Sequence, residues 1–438
     1  MYFKNEKNKA YPRRKFLKNF SIGTLSLLGG NIFPRLIKAT PTTYPPRTRI
    51  PNPYLSNEGK PLLVSVVGTD FKQMLTAGLE KIGGLGKLID NNQDVLIKPN
   101  LNAVDVYPAI SSTESIVSLT GEVVAATTGN VRIGDVSYHP TDSVYQHADL
   151  ANALAGSGAE LIHFTEKYNV RRSGWSSSKP DYLVYSEVYN APIIINFACS
   201  KRHFLAKMST ALKNNVGCVA ASGASQSRQY LHGLSGTAFL KEIAEIAGLI
   251  NPELTIVDAR SMLIGNGPFS SSPGAKILEG INFLIISGDM NAVDHYCSML
   301  LQGFDSTFFE SQIAATLNQA HSLGLGVKDL NDVKIIECTT NVKDSHNNLI
   351  PQKSELDQNY PNPFNATTRI KFKLNENGNV KLNIYNARGQ RISTLINKEM
   401  LPGEYSVNFN AHHLPGGAYF CQLRAGDNLQ MKKMILIK

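Results

Sequence analysis

APIIINFACSKRHFLAKMSTALKNNVG, residues 191–217, is the stretch on which the reading of the fold turns. Ala191 to Phe197 is a short apolar, strand-like run. It opens into a segment holding Lys201, Arg202, His203, Lys207, Lys213 and Asn214. An apolar strand that runs into a loop dense in cations and amides is where an α/β sheet exposes functional groups, at the carboxyl ends of its strands. Cations this close repel one another, so the segment needs an anionic ligand or nearby carboxylates.

Outward from this stretch, strands and helices alternate. LLVSVVG, DVLIKPN, VRIGDVS, ELIHF, APIIINF, LTIVDA, NFLIISG and VKIIEC read as strands. Residues 72–89, 113–127, 143–157, 236–247, 292–301 and 308–323 read as helices. Short apolar runs between amphipathic helices predict an α/β domain with a largely parallel sheet and flanking helices over 61–340. Residues 41–60 are Pro-rich and polar and read as a linker, as does the polar, aperiodic stretch 341–355. In 356–438, VKLNIYNARGQRISTLI alternates into an Asn-x-x-Gly turn, and YSVNFNA and AYFCQLRAG alternate again. That pattern predicts a small all-β, Ig-like sandwich.

The formal charge of +9 does not belong to the middle of the chain. Residues 1–40 hold nine Lys/Arg against one acid and residues 356–438 hold eleven against five, which leaves the segment between at −5. Nucleic-acid binding needs a basic footprint on the working domain, so it is excluded. No run of eighteen apolar residues exists, so no spanning helix is expected. The five cysteines (199, 218, 297, 338 and 421) lack C-x-x-C spacing, which argues against zinc, redox or iron–sulfur sites and for buried free thiols.

Several polar residues stand where strands end. Lys98 and Asn100 flank Pro99, which stops the ladder and biases Lys98 to extended backbone. Asp135 follows Gly134, and His139 lies just beyond. Asp258 ends the run Leu254 to Val257. Each has a bland alternative: a solvated lysine, a turn aspartate, a loop histidine. Ser112 and Asp289 read first as helix N-caps. Gly83-Gly84-Leu85-Gly86-Lys87 lacks the spacing of a phosphate loop, and Ser222-Gly223-Ala224-Ser225 that of a nucleophile elbow.

Val95–Asn100, Ile133-Gly134-Asp135, Ile195-Asn196 through Lys201-x-His203 to Ala211-Leu212-Lys213-Asn214, Thr255–Ala259, Gly265–Pro268 and Ser287–Asp294 together resemble the family that shares the domain of unknown function 362, DUF362, over roughly 61–305. Many members of that family carry an attached ferredoxin-like module; no such cysteine run is present here. Leu356–Asn365, Thr367–Ile370, Pro402-Gly403, Leu414–Tyr419 and the terminal Lys432–Lys438 resemble the C-terminal sorting domain of the type IX secretion system. Arg13-Arg14-Lys15-Phe16-Leu17-Lys18 resembles a twin-arginine signal, with 1–40 as export leader; an ordinary secretory leader is the alternative. These resemblances imply the twin-arginine translocase and the type IX machinery as partners, passage through the periplasm, and a final place on the outer-membrane surface or outside the cell.

The ten-residue interval from His203 to Lys213 resembles the cofactor segment of the nickel-dependent lactate racemase family. That resemblance implies a nickel ligated by His203, a pincer nucleotide tethered to Lys213, and His139 as a proton-transfer group or second metal candidate. The family's lysine lies in a Gly-Gly-Arg-Lys-Ser context that Thr210-Ala211-Leu212-Lys213-Asn214 does not reproduce. A simpler reading has Lys201, His203 and Lys213 holding a carboxylate or phosphate. The expected function is an exported enzyme that moves a proton on, or isomerises, an anionic small molecule. His203, Lys213, Asp135 and Asp258 are its expected catalytic residues, and Lys98, Asn100, Lys201 and Asn214 its ligand-binding ones. A surface protein that binds an anion without turnover is the alternative.

Overall fold

The computed structural model describes residues 42–176, 179–220, 228–340, 354–400, 402–426 and 428–437. The expected leader over 1–40 and most of the expected linker over 341–355 lie outside those residues.

All eight strands read from the sequence join one sheet. Across it run Lys334–Thr339, Leu62–Val67, Phe283–Ser287, Leu254–Ile264, Ile193–His203, Val95–Lys98, Val131–Ile133 and Ala159–Leu161. Phe283–Ser287 is antiparallel to both neighbours; the other pairings on this path are parallel. Parallel strands covered on both faces read as unbroken apolar runs, and that is the composition of IIINF and LLVSVV. Alternation along them divides the core. Ile193, Ile195 and Phe197 pack with the helices Phe71–Ile82 and Thr113–Ala126, whereas Ile194 and Ala198 pack with Gly236–Ile250, Met290–Phe304 and Ala314–Ser322. Helix starts follow their caps. Asp70, Ser112 and Asp289 accept from the backbone N–H groups of Gln73, Ser115 and Ala292.

Beyond Phe197 the expected loop gives way to more strand. Ile193–His203 runs past the sheet's edge and turns back as a hairpin onto Lys207–Ser209, with Lys201 opposite Ser209 and His203 opposite Lys207. The hairpin pairs backbone groups that would otherwise be buried unsatisfied. A short helix, Ala211–Asn214, follows; Asp294 caps it by accepting from the N–H groups of Ala211 and Leu212 at 2.7 and 3.2 Å.

Residues 42–60 are not a free linker. Thr43–Tyr44 pairs with Lys167–Val170, which pairs with Tyr182–Tyr185, a small sheet too short in each strand to stand out in the sequence. Tyr54 is fully buried. Arg47 is 6% exposed and meets Glu253 in a bidentate pair, both bonds 2.9 Å. It also donates to the carbonyls of Ala191 and Pro192, while Glu253 accepts from the Ile194 N–H. The prolines and threonines that signalled flexibility form an extended strap stapled where two central strands begin.

The second unit of secondary structure is a sandwich of two antiparallel sheets. Glu355–Leu356, Thr367–Leu374 and Gly403–Asn410 form one; Arg391–Met400, Gly378–Asn386, Gly417–Ala425 and Asn428–Leu436 form the other. Leu356, Ile370, Phe372, Leu382, Ile384 and Leu423 fill the space between. Its first strand begins one residue before the expected boundary. Glu310 of the α/β part takes a hydrogen bond from His295 and an ion pair from Lys398 of the sandwich at 3.0 Å, which hold its carboxyl down to about 2.

Removing one partner of a buried ion pair leaves an uncompensated charge. Arg47→Ala is therefore expected to cost roughly 3–5 kcal/mol in chemical denaturation. Arg47→Lys should recover little, because a single ammonium cannot span both carboxylate oxygens. A loss under about 1 kcal/mol, the range of an exposed pair, would show that the strap is peripheral.

Candidate functional site

Pro99 ends the Val95–Lys98 strand and leaves Lys98 at the sheet's carboxyl edge. There its side chain, 1% exposed, turns inward. The ammonium pairs with Asp135 at 2.7 Å and donates to the Pro99 carbonyl and to Asn214 Oδ1. Asp135 comes from the next parallel strand end. Its remaining capacity is met by the backbone N–H groups of Leu101 and Val136, both at 2.8 Å.

Asparagine amides bind this pair to the neighbouring strand. Asn214 Oδ1 accepts from Asn100 Nδ2 at 2.9 Å, and Asn214 Nδ2 donates to Asn196 Oδ1 at 2.8 Å. Asn196 lies within the apolar run of the central strand and donates to the Ala211 carbonyl at 3.0 Å. Each amide thus gives and receives, as a buried polar network requires. Lys201 reaches the same group from the hairpin, donating to Asn100 Oδ1 at 3.0 Å, Asn102 Oδ1 at 3.3 Å and the Ala109 carbonyl. Burial pushes its amine down to about 8.

These residues surround a small cavity of about 70 Å³ lined by Lys98, Asp135, His203, Lys213, Asn214 and Arg228, among others. A water molecule occupies roughly 30 Å³ of liquid, so the cavity holds about two waters or one carboxylate-sized group. His203 Nδ1 accepts from the N–H groups of Leu205 and Ala206, both at 3.2 Å, which places the ring proton on Nε2. Burial, then Lys213 and Lys201, hold this imidazole well below its ordinary range, so it is neutral. Arg228 donates to the carbonyls of Val216, Val219 and Val136, bringing its guanidinium to the cavity wall. Lys213 is half-buried and has no hydrogen-bond or carboxylate partner among the described residues. Burial, with Arg228, Lys201 and Lys98 nearby, brings its amine down to about 7. Among the described residues lining the cavity, Asp135 faces three cationic side chains.

The nickel implied by the racemase resemblance does not fit this arrangement. With Nδ1 already accepting two backbone hydrogens, a metal at Nε2 would require His203 to lose both ring protons; metal-ligating histidines instead donate from the second nitrogen. His139, the other metal candidate, is also committed, its Nδ1 accepting from Val104 N–H at 3.0 Å. Among the described residues no three His, Cys, Asp or Glu side chains converge to hold an ion.

Asp258 does not join the cluster either. It is fully buried, and its oxygens accept from Tyr107 at 2.8 Å, Ser115 at 2.8 Å and Arg260 at 3.0–3.2 Å. This is a structural knot under the start of the Thr113–Ala126 helix. The strand-end position that marked it in the sequence is real, but Arg260 two residues on consumes its charge. Conversely, Arg228 and Asn196 were not expected. Arg228 lies in no motif, and its place follows from long-range contacts, its guanidinium meeting the Val136 carbonyl at 3.0 Å. Asn196 carried a signal, a lone amide inside an apolar strand.

Residues 95–299 match the family model described as Domain of unknown function (DUF362), and residues 358–438 match that described as Secretion system C-terminal sorting domain; the chain carries both. The sorting domain implies export through the type IX secretion system to the cell surface or extracellular space. A thylakoid-associated protein of Synechocystis sp. is 25% identical over 229 residues, 51% of this chain and 68% of its own length. The lactate racemase apoprotein of Thermoanaerobacterium thermosaccharolyticum is 12% identical with a TM-score of 0.38, covering 58% of this chain and 60% of that one. Dimeric latent PorU of Porphyromonas gingivalis is 14% identical with a TM-score of 0.17, covering 24% and 10%. The chain thus spans less than two thirds of either solved structure.

A Cβ placed on Gly217 would overlap Asp135 Oδ1 and lie 2.9 Å from Lys98 Nζ. Gly217→Ala should split the ion pair and cost roughly 1–3 kcal/mol as an overpacked site, read as a lowered Tm. Gly121, with open space around it inside a helix, is the control: Gly121→Ala should hold or raise Tm. Lys213 gives a second expectation. Its folded-state value lies below the unfolded one, so its protonation opposes folding below about pH 7, and the penalty vanishes as pH rises toward the ordinary lysine value. Lys213→Met should therefore stabilise the protein below neutral pH, with the advantage shrinking in alkaline solution. An advantage independent of pH would show that Lys213 is not depressed.

Proposed function

We propose that this exported protein is an enzyme that moves a proton on a small carboxylate-bearing molecule, with Lys213 as the base. The observation that carries the reading is an amine without a partner among the described residues, set in a small cavity whose cations outnumber its acids. A base is most effective when it titrates near working pH, and Lys213 titrates at about 7. The anion's charge is met by Lys98 and Arg228, with His203 Nε2–H as a neutral donor beside them. Asp135 holds Lys98 in place and satisfies part of its charge, so Lys98 attracts a carboxylate without being free to follow it. Asn100, Asn214 and Lys201 hold the geometry from behind, in the manner of preorganised dipoles that need no rearrangement when charge develops. Proton abstraction beside the carboxylate is the reaction class these parts can support. We further propose that the chain reaches the type IX machinery through the periplasm, by a twin-arginine-type leader in residues 1–40.

The test is proton exchange. Lactate and malate incubated with the full-length protein in D2O should exchange the hydrogen on the carbon beside a carboxylate, followed by NMR, with a rate that rises through about pH 7 as Lys213 loses its proton. Lys213→Met should abolish the exchange, while Lys98→Met should weaken substrate binding and move the pH midpoint upward, because Lys98 is one of the charges that depress Lys213. Carboxylates that bind but never exchange would replace the enzyme with a binding protein, the reading favoured by the fully satisfied asparagine network. Exchange that survives Lys213→Met would remove the lysine from its role.

A further inference from the structure

Near the cationic cavity several large apolar side chains are exposed. Tyr138 is 77% exposed, Phe204 58%, Val106 51% and Val104 41%. Exposed large apolar side chains scattered singly need no explanation, but a cluster around a concave site marks a contact surface. These residues are neighbours of the lining itself. Phe204 follows His203 and stacks on its ring, centroids 5.3 Å apart at 13°. Tyr138 lies two residues beyond Val136, and Phe269 follows Pro268, both of which line the cavity.

The loops that carry them are fastened to one another. The Phe204 N–H donates to the Gly267 carbonyl at 3.1 Å, and the Tyr138 N–H donates to the Asn102 carbonyl at 2.6 Å. The Val104 N–H donates to His139, and the Tyr138 and Phe269 rings lie 6.2 Å apart. Asp105 joins the 102–106 loop to the 267–270 loop by accepting from the Ser270 N–H at 3.0 Å. An apolar rim is thus held over a cationic floor. The cavity below is too small for more than the head of a ligand, so any larger substituent must lie across the rim.

We infer that the substrate is an amphiphilic acid: a carboxylate that enters the cavity and an aliphatic or aromatic tail that lies on Tyr138, Phe204 and the 102–106 loop. This rests on the anion-site reading above and specifies it. Charge complementarity fixes which end goes in: among the described residues the lining sets Lys98, Lys213 and Arg228 against one acid, Asp135, an excess that a carboxylate offsets and a neutral apolar tail does not. It also selects a free acid over a membrane surface, whose many headgroups cannot enter a cavity of about 70 Å³.

Titration calorimetry of the full-length protein with acetate, butyrate, hexanoate and octanoate tests it. Affinity should rise roughly two- to threefold for each added methylene, the gain of partial burial of an apolar group. Tyr138→Ser and Phe204→Ser should flatten that slope. Octanol, which has the tail without the charge, should bind far more weakly than octanoate. A flat series in the unaltered protein overturns the inference and leaves the small-anion reading standing. Equal losses for acetate and octanoate in the rim variants overturn it too, as does octanol binding as tightly as octanoate. Failure of every acid to bind, acetate included, overturns the anion site and the inference with it.

Discussion

A buried ammonium needs an acid beside it, and the meeting of Lys98 and Asp135 at 2.7 Å is the constraint around which the sheet's carboxyl edge is arranged. Desolvating either charge singly would cost several kcal/mol. The two residues therefore require their strands to be adjacent and parallel, with ends at the same level. The chain meets that requirement through Val95–Lys98 pairing in register with Val131–Ile133. Gly217 completes the arrangement by supplying no side chain at the one point where the chain crosses both groups.

From that pair the polar groups extend in one direction. Asn214 links Lys98 to Asn196, Asn100 links Asn214 to Lys201, and the hairpin beyond Phe197 carries His203 to the cavity. Asp294 holds the short Ala211–Asn214 helix from across the core; burial pushes its carboxyl up to about 7 despite two backbone donors. Among the described residues, Lys213 is the group this network leaves unused. A rigid set of satisfied amides around one unsatisfied amine is the reverse of a stability device, in which every member would be paired.

The strap and the sandwich change what counts as the working unit. Arg47 binds residues 42–60 to the opposite end of the central strands, and Glu310 and Lys398 join the sandwich to the α/β part. The strap's staple lies where the central strands begin, away from their carboxyl edge. The Tyr138 and Phe204 rim is left uncovered by either among the described residues.

Composition and period determined the elements. Eight apolar runs became eight strands of one sheet, and alternation in 356–438 became a sandwich, because side-chain periodicity is a local property that each segment carries with it. Strand-end position was equally local, and it marked Lys98, Asn100, Asp135, Lys201, His203, Lys213 and Asn214, all of which meet at one edge. Charge partnership was not local. Asp258 looked equivalent to Asp135 until Arg260, Tyr107 and Ser115 were found around it, and Arg47 in a proline-rich stretch gave no sign that Glu253 awaited it some two hundred residues away. Arg228 entered the cavity wall by the same long-range closure. Which cation is paired depends on groups brought together from distant segments, so tertiary structure decided that Asp258 is a knot, the strap a clamp and Lys213 an amine without a partner among the described residues.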